Sequence, residues 1–380
     1  MVAILLVVSL LPIFLSISTG EIFIYDNDSS REFNVYFPSI IFLTLSTLFL
    51  VSRSIREKIF DRLVYYFPGL IALQGLSYLF IQDLNLNFFK YIIPPVIAYH
   101  FFILIRYFEV EFNRFAIFLY LLFPFIIYFL AVFSESPIYQ YYVTLPFVLS
   151  LYLLSIIFIS FKNLFFFYIT SPSILMSLYL ISDIGRRVSI LDGLYVWIFL
   201  YIYSYRYFPR RFLFFFFASP FLIAFKLFNS NLYMRFMDEF ISKDMRIDRL
   251  DQWSRSVDKF DSVYSFLLGF PTEYHSGAHN SFLDITLVFG VFYLISFVIF
   301  FFIVLKKIYF QFKFSRAHGL RLYFFFSCLI LLNHSFFNSS LTQLYVIYPF
   351  FLFLFISFKI INNDELYFLY KNKSFRAPSN

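Results

Sequence analysis

The sequence predicts an all-α, polytopic integral membrane protein of about twelve transmembrane helices, with one long loop on its outer face. Three observations carry this. The 380-residue chain is 61% hydrophobic and only 14% charged, with 64 Phe and 31 Tyr, so it lacks the polar side chains to cover a water-soluble fold of that size. Apolar runs near twenty residues recur along it, the length a helix needs to cross about 30 Å of hydrocarbon. Only one extended polar stretch, residues 229–280, interrupts them.

The elements follow in order. Spans are predicted at 2–19, 35–52, 63–82, 91–107, 115–133, 142–161, 163–182, 188–204, 212–228, 281–305, 320–337 and 344–362. Helices are expected because a segment in lipid must satisfy its own backbone groups. The first run has no Lys or Arg before its apolar core and no convincing small-residue cleavage site. It therefore reads as a span rather than a removed signal. The whole chain, 1–380, is expected to form one membrane domain that includes the 229–280 loop.

Orientation comes from the cations. With the N-terminus inside, nineteen of the thirty Lys and Arg fall on the cytoplasmic side, as the positive-inside rule requires. Both termini are then cytoplasmic. The net charge of +7 is accounted for by this bias, and no nucleic-acid partner is expected. Eight outer cations concentrate in two places, Arg186 with Arg187 and the long loop. Cations that resist the usual bias need another reason to be there. The lone cysteine, Cys328, cannot form an intramolecular disulfide.

The loop is too long for a plain connector. Leu250, Trp253, Val257 and Phe260 recur on one helical face, and an amphipathic stretch at 232–241 precedes them. Two short helices on or dipping into the outer interface are predicted. Gly269 and Pro271 end regular structure, and Gly277 permits a tight turn. No phosphate-cradling or dinucleotide motif and no Cys pair for zinc is present. His275 and His279 are four apart, but the carboxylate of a H-E-x-x-H site is missing, so no metal or other cofactor is expected.

Certain residues stand in a familiar order. RLDQW runs from Arg249 to Trp253, GFP follows at Gly269, HNSFL runs from His279 to Leu283, and Gly290 lies further on. This set resembles the signature of the O-antigen polymerase and ligase superfamily. There an R-x-x-x-W element opens a helix of the large periplasmic loop, a Gly-containing turn follows, and H-N-x-x-L starts a span. The turn SDIGRR at 182–187 resembles, in degenerate form, that family's S-R-G element. The resemblance implies a GT-C-like, metal-independent glycosyltransferase of the bacterial inner membrane. Its substrate would be an undecaprenyl-pyrophosphate-linked oligosaccharide, its site periplasmic, and a chain-length regulator protein a possible partner beside the bilayer itself.

The residues suit that chemistry. Arginine stays protonated and offers two parallel donors to phosphate oxygens. Arg249 and one or both of Arg186 and Arg187 are assigned to the departing pyrophosphate, with Arg246 as a further contact. His279 is the candidate base for the acceptor hydroxyl. Asn280 is either a helix N-cap or an orienting group. Asp284 either holds the His279 ring or favours the positive end of its helix. His275, Trp253 and Tyr274 are candidate sugar contacts. His100, Asn333 and His334 are expected to make interhelical hydrogen bonds. Polymerase is the leading function, with ligase and transporter of lipid-linked sugars as alternatives.

Overall fold

The computed structural model describes residues 62–79, 87–107, 114–133, 145–160, 164–184, 187–207, 248–269, 280–314, 319–337, 341 and 344–362. Among them every regular element is helical. A 3-10 turn, Arg62–Tyr65, leads into α1, Tyr66–Leu79. There follow α2, Asn87–Tyr107; α3, Arg114–Phe133; α4, Leu145–Ser160; α5, Leu164–Ile184; and α6, Arg187–Tyr207. Two short helices, α7 (Asp248–Val257) and α8 (Val263–Leu268), precede α9, Ser281–Phe314. The described chain closes with α10, Leu320–Phe337, and α11, Leu344–Asn362.

Nine predicted spans coincide with these helices; those at 2–19, 35–52 and 212–228 lie outside the described residues, as does the stretch at 232–241. α9 runs beyond its expected end at 305 to Phe314. Ser281–Lys313 and Leu320–Phe337 are long and apolar enough to cross a membrane, and six shorter apolar helices accompany them. This is the build of a helical membrane protein.

Two helices form the centre. Every residue from 145 to 157 in α4 and from 346 to 357 in α11 is buried, as expected of helices apolar on all sides. α4 packs on α3's neighbour α5 and on α6, α10 and α11; α11 also packs on α2 and α10. Aromatic rings fill the joint: Phe353 of α11 meets Tyr120, Phe123 and Tyr152 at 6.1–6.3 Å. Outward faces carry exposed apolar side chains, among them Phe292, Ile295, Ile299 and Phe302 of α9. Their three- and four-residue spacing makes one continuous stripe, an apolar face suited to lipid.

Five prolines, Pro94, Pro95, Pro124, Pro172 and Pro349, sit inside four of the described helices, and at one of them the bundle visibly compensates. Pro95 in α2 has no amide hydrogen to pair with the carbonyl of Tyr91, four residues back. The Tyr293 hydroxyl of α9 donates to that carbonyl instead, at 3.0 Å. It also accepts from Gln74 Nε2 of α1 at 3.1 Å. Beside Pro124 of α3, the Leu121 carbonyl accepts from Ser173 at 2.7 Å and from Tyr152 at 3.4 Å. The Tyr293 hydroxyl thus replaces a backbone donor, as a segment in lipid requires, while the Leu121 carbonyl gains side-chain donors from α4 and α5.

The bundle has two chemically distinct ends. At one, Lys359 Nζ donates to the Ile105 carbonyl at 3.1 Å, and Arg106 and Lys307 approach the Phe102 ring at 5.9 and 5.4 Å. Arg321 donates to the Lys313 carbonyl nearby at 3.3 Å. At the other end lie the first turns of α6 and α9, the last turn of α10, and the short helices α7 and α8.

Candidate functional site

The start of α9 is built by its own sequence. Asn280 is its N-cap: Oδ1 accepts from the amides of Phe282 and Leu283 at 3.0 and 3.2 Å. Its carbonyl accepts from Asp284 N at 2.9 Å. This satisfies amides that a helix start leaves without intrahelical partners. Of the two roles open to Asn280, the structure shows capping. Asp284 is buried in the first turn, where the helix dipole favours a carboxylate. Ser281 Oγ accepts from the amide of Leu341 at 2.9 Å, and Phe282 packs on Phe336 of α10 at 5.1 Å. The start of α9, the end of α10 and the connection to α11 are therefore one packed unit.

The long loop docks on this unit. α8 opens with a capping box: Ser262 Oγ accepts from Ser265 N, and Ser265 Oγ accepts from Ser262 N, both at 3.1 Å. It ends at Gly269, whose amide donates to the Ser265 carbonyl at 2.8 Å. α8 lies against α9 where that helix is interrupted at Gly290. Both glycines are held at positive φ, 81° and 77°. Their ψ values lie near 180°, a region that essentially only glycine enters. Space imposes the same choice. A Cβ on Gly269 would stand 2.5 Å from Gly290 N and Phe289 N, and one on Gly290 would overlap the backbone of Leu267 and Leu268. Gly269 and Gly290 thus meet. Gly290 lies nine residues into α9, about 13 Å along its axis at 1.5 Å per residue, so α8 reaches that far down the helix.

α7 also packs on α9. It is a helix where the spacing predicts one, but its buried edge differs from the expected apolar stripe. Trp253 is half-buried and Ser256 buried, whereas Val257 faces outward and Phe260 has left the helix for the following turn. Phe260 stacks edge-on against Phe266 at 5.4 Å, which turns the chain into α8. The Trp253 indole Nε1 is buried with no acceptor among the described residues. α8 itself was not expected, because six residues are too few to display a helical period.

Two of the predicted arginines have a described place in the backbone. Arg249 is the second residue of α7, and Arg187 opens α6. Arg186, Arg246, Tyr274, His275 and His279 lie outside the described residues, His279 directly before the Asn280 cap.

A buried polar cluster completes this end. Asp192 of α6 is fully buried, and both its oxygens are engaged by consecutive residues of α10. Asn333 Nδ2 donates to Oδ1 at 3.0 Å, and His334 Nε2 meets Oδ2 at 2.5 Å. The Phe147 ring of α4 closes over His334 at 4.8 Å. Asn333 and His334 thus make the interhelical bonds expected of them, but Asp192 was missed. The signal was available: it is the one acidic residue in the predicted span 188–204, and an ionisable group in a span marks a functional position by default. His100, by contrast, is buried, and Nε2 has no hydrogen-bond partner among the described residues.

Among the described residues no three His, Cys, Asp or Glu side chains converge as metal ligands would. No protein-family model, curated protein or solved structure matches this chain.

Proposed function

We propose that this chain is a polymerase of lipid-linked oligosaccharides, acting at the outer face of the bacterial inner membrane with both termini in the cytoplasm. In this reading it has twelve spans and a GT-C-like build. The observation that carries the reading is the meeting of Gly269 with Gly290. It brings α8, the segment that follows the arginine- and tryptophan-bearing α7, against α9, the helix that follows His279 and Asn280, and so supports a reading in which those motifs act together.

The chemistry follows from the residues. The acceptor hydroxyl oxygen forms a bond to the anomeric carbon of the donor glycan as the bond from that carbon to the pyrophosphate oxygen breaks. His279 takes the hydroxyl proton. The lipid pyrophosphate leaves with its charge met by Arg249 and by Arg186 or Arg187. In a partly dry site each well-placed donor is worth roughly 10²–10³ in rate. Trp253, Tyr274 and His275 present flat or polar faces to sugar rings, and Arg246 adds charge at the rim.

The deciding experiment is a deletion strain complemented with wild-type, Arg249→Ala and His279→Ala chains. Each variant is expected to abolish lengthening of surface glycan while its membrane abundance stays normal. Wild-type chain lengths in either variant would remove the site assignment. One repeat unit on the lipid A core of the deletion strain identifies a polymerase; no attached unit identifies a ligase, which would use the same arginines and histidine. Transport of lipid-linked sugar without new glycosidic bonds would overturn both.

A further inference from the structure

The Asp192 cluster ties α6 to α10 through two contacts. Asn333 and His334 are consecutive on α10, so their side chains leave the helix about 100° apart and 1.5 Å apart along its axis. Both nevertheless end on one carboxylate, one on each oxygen. Rotating α10 against α6, or sliding it by one residue, breaks both contacts together. Burying a charged pair is a poor way to gain stability, since desolvation offsets much of the attraction; fixing register is the best-attested use of such groups.

The position of the cluster says which parts are registered. Asp192 lies five residues below Arg187, about 7.5 Å along α6. On α10, Asn333 and His334 lie just before Phe336, which packs on Phe282 in the first turn of α9. The chain leaving α10 then returns an amide to Ser281. A continuous set of contacts thus runs from the arginine turn, through the carboxylate and α10, to the residue next to Asn280.

We propose that Asp192, Asn333 and His334 form a positioning latch that holds the arginine-bearing start of α6 at a fixed place relative to the start of α9. Its service to pyrophosphate binding rests on the function proposed above. His334 acts through Asp192 as a hydrogen-bond donor, so a glutamine amide at that position replaces it and an aliphatic side chain does not.

The test uses the full chain in nanodiscs on a Cys328→Ser background. Spin labels replace Leu191 of α6 and Phe292 of α9, two outward-facing side chains outside the latch. His334→Gln is expected to keep the wild-type label distance, and His334→Leu to shift or broaden it. Affinity for farnesyl pyrophosphate, the probe, is expected to fall at least about tenfold in His334→Leu and to stay within about twofold in His334→Gln, since small misplacements of binding groups have effects of this order or larger. Asn333→Leu, which loosens one of the two grips, is read in the same way if His334→Leu does not fold. An unchanged label distance in the leucine variant overturns the latch. So does a His334→Gln chain that keeps the distance but binds as poorly as His334→Leu, because the imidazole would then serve the site directly. Label distances that respond as expected in a protein whose wild type does not bind the probe uphold the latch and overturn the glycosyl-transfer reading.

Discussion

Gly269 and Gly290 are each constrained twice, by φ and by space. A side chain at either must strain the backbone and separate α8 from α9. Gly290→Ala is expected to lower stability by at least about 2–3 kcal/mol, the scale of a residue forced into such a backbone region, seen as a clear drop in melting temperature in detergent. Asn280→Ala removes only a cap and should cost about 1 kcal/mol. Equal melting temperatures for the two variants would refute the close approach. The sequence marks both glycines and the Asn280 cap, because small local patterns survive in one dimension. It does not reveal that the glycines touch, since a glycine within an apolar run looks the same whether it faces lipid or another backbone. Asp192 was hidden for a related reason: its partners lie 141 and 142 residues away, and no local period predicts them.

Among elements, the nine described helices that match predicted spans were legible because long apolar runs favour helices whatever their neighbours. Their repairs were not. The Tyr91 carbonyl left without an amide by Pro95 is met by a hydroxyl from a helix about two hundred residues further on. Tyr293→Phe should therefore destabilise the bundle by about 1–3 kcal/mol, the cost of leaving a buried polar group unsatisfied. Restoring the amide with Pro95→Ala in that background should recover part of the loss. A double-mutant cycle on thermal unfolding measures the coupling, and strictly additive effects would show that the hydroxyl does not replace the amide. The loop helices divide in the same way: α7 showed its period, while α8 needed a capping box and a partner helix to exist.

At the scale of the whole molecule, the two ends of the bundle differ in chemistry. Arg106, Lys307, Arg321 and Lys359 gather at one end, and the Asn280 cap, Asp192 and the docked loop at the other. In the proposed topology the end that holds Arg106, Lys307, Arg321 and Lys359 faces the cytoplasm, as the positive-inside rule favours. Single cysteines replacing Arg255 and Lys313, both exposed, should then react from opposite sides with a membrane-impermeant reagent; labelling of both from one side would invert or break the proposed topology. The helical, apolar build was visible in composition alone, but the docking of α8 on α9 and the bridging of α6 to α10 were not, since they depend on which helices adjoin. The Gly269–Gly290 contact also bears on biogenesis. α8 emerges from the ribosome before the stretch of backbone that receives it has been translated. It must wait in water or at the lipid surface until α9 has been threaded through the membrane, and only then fold back. The receiving notch is thus made after its guest, and a nascent chain halted before residue 290 would leave α8 undocked and open to protease.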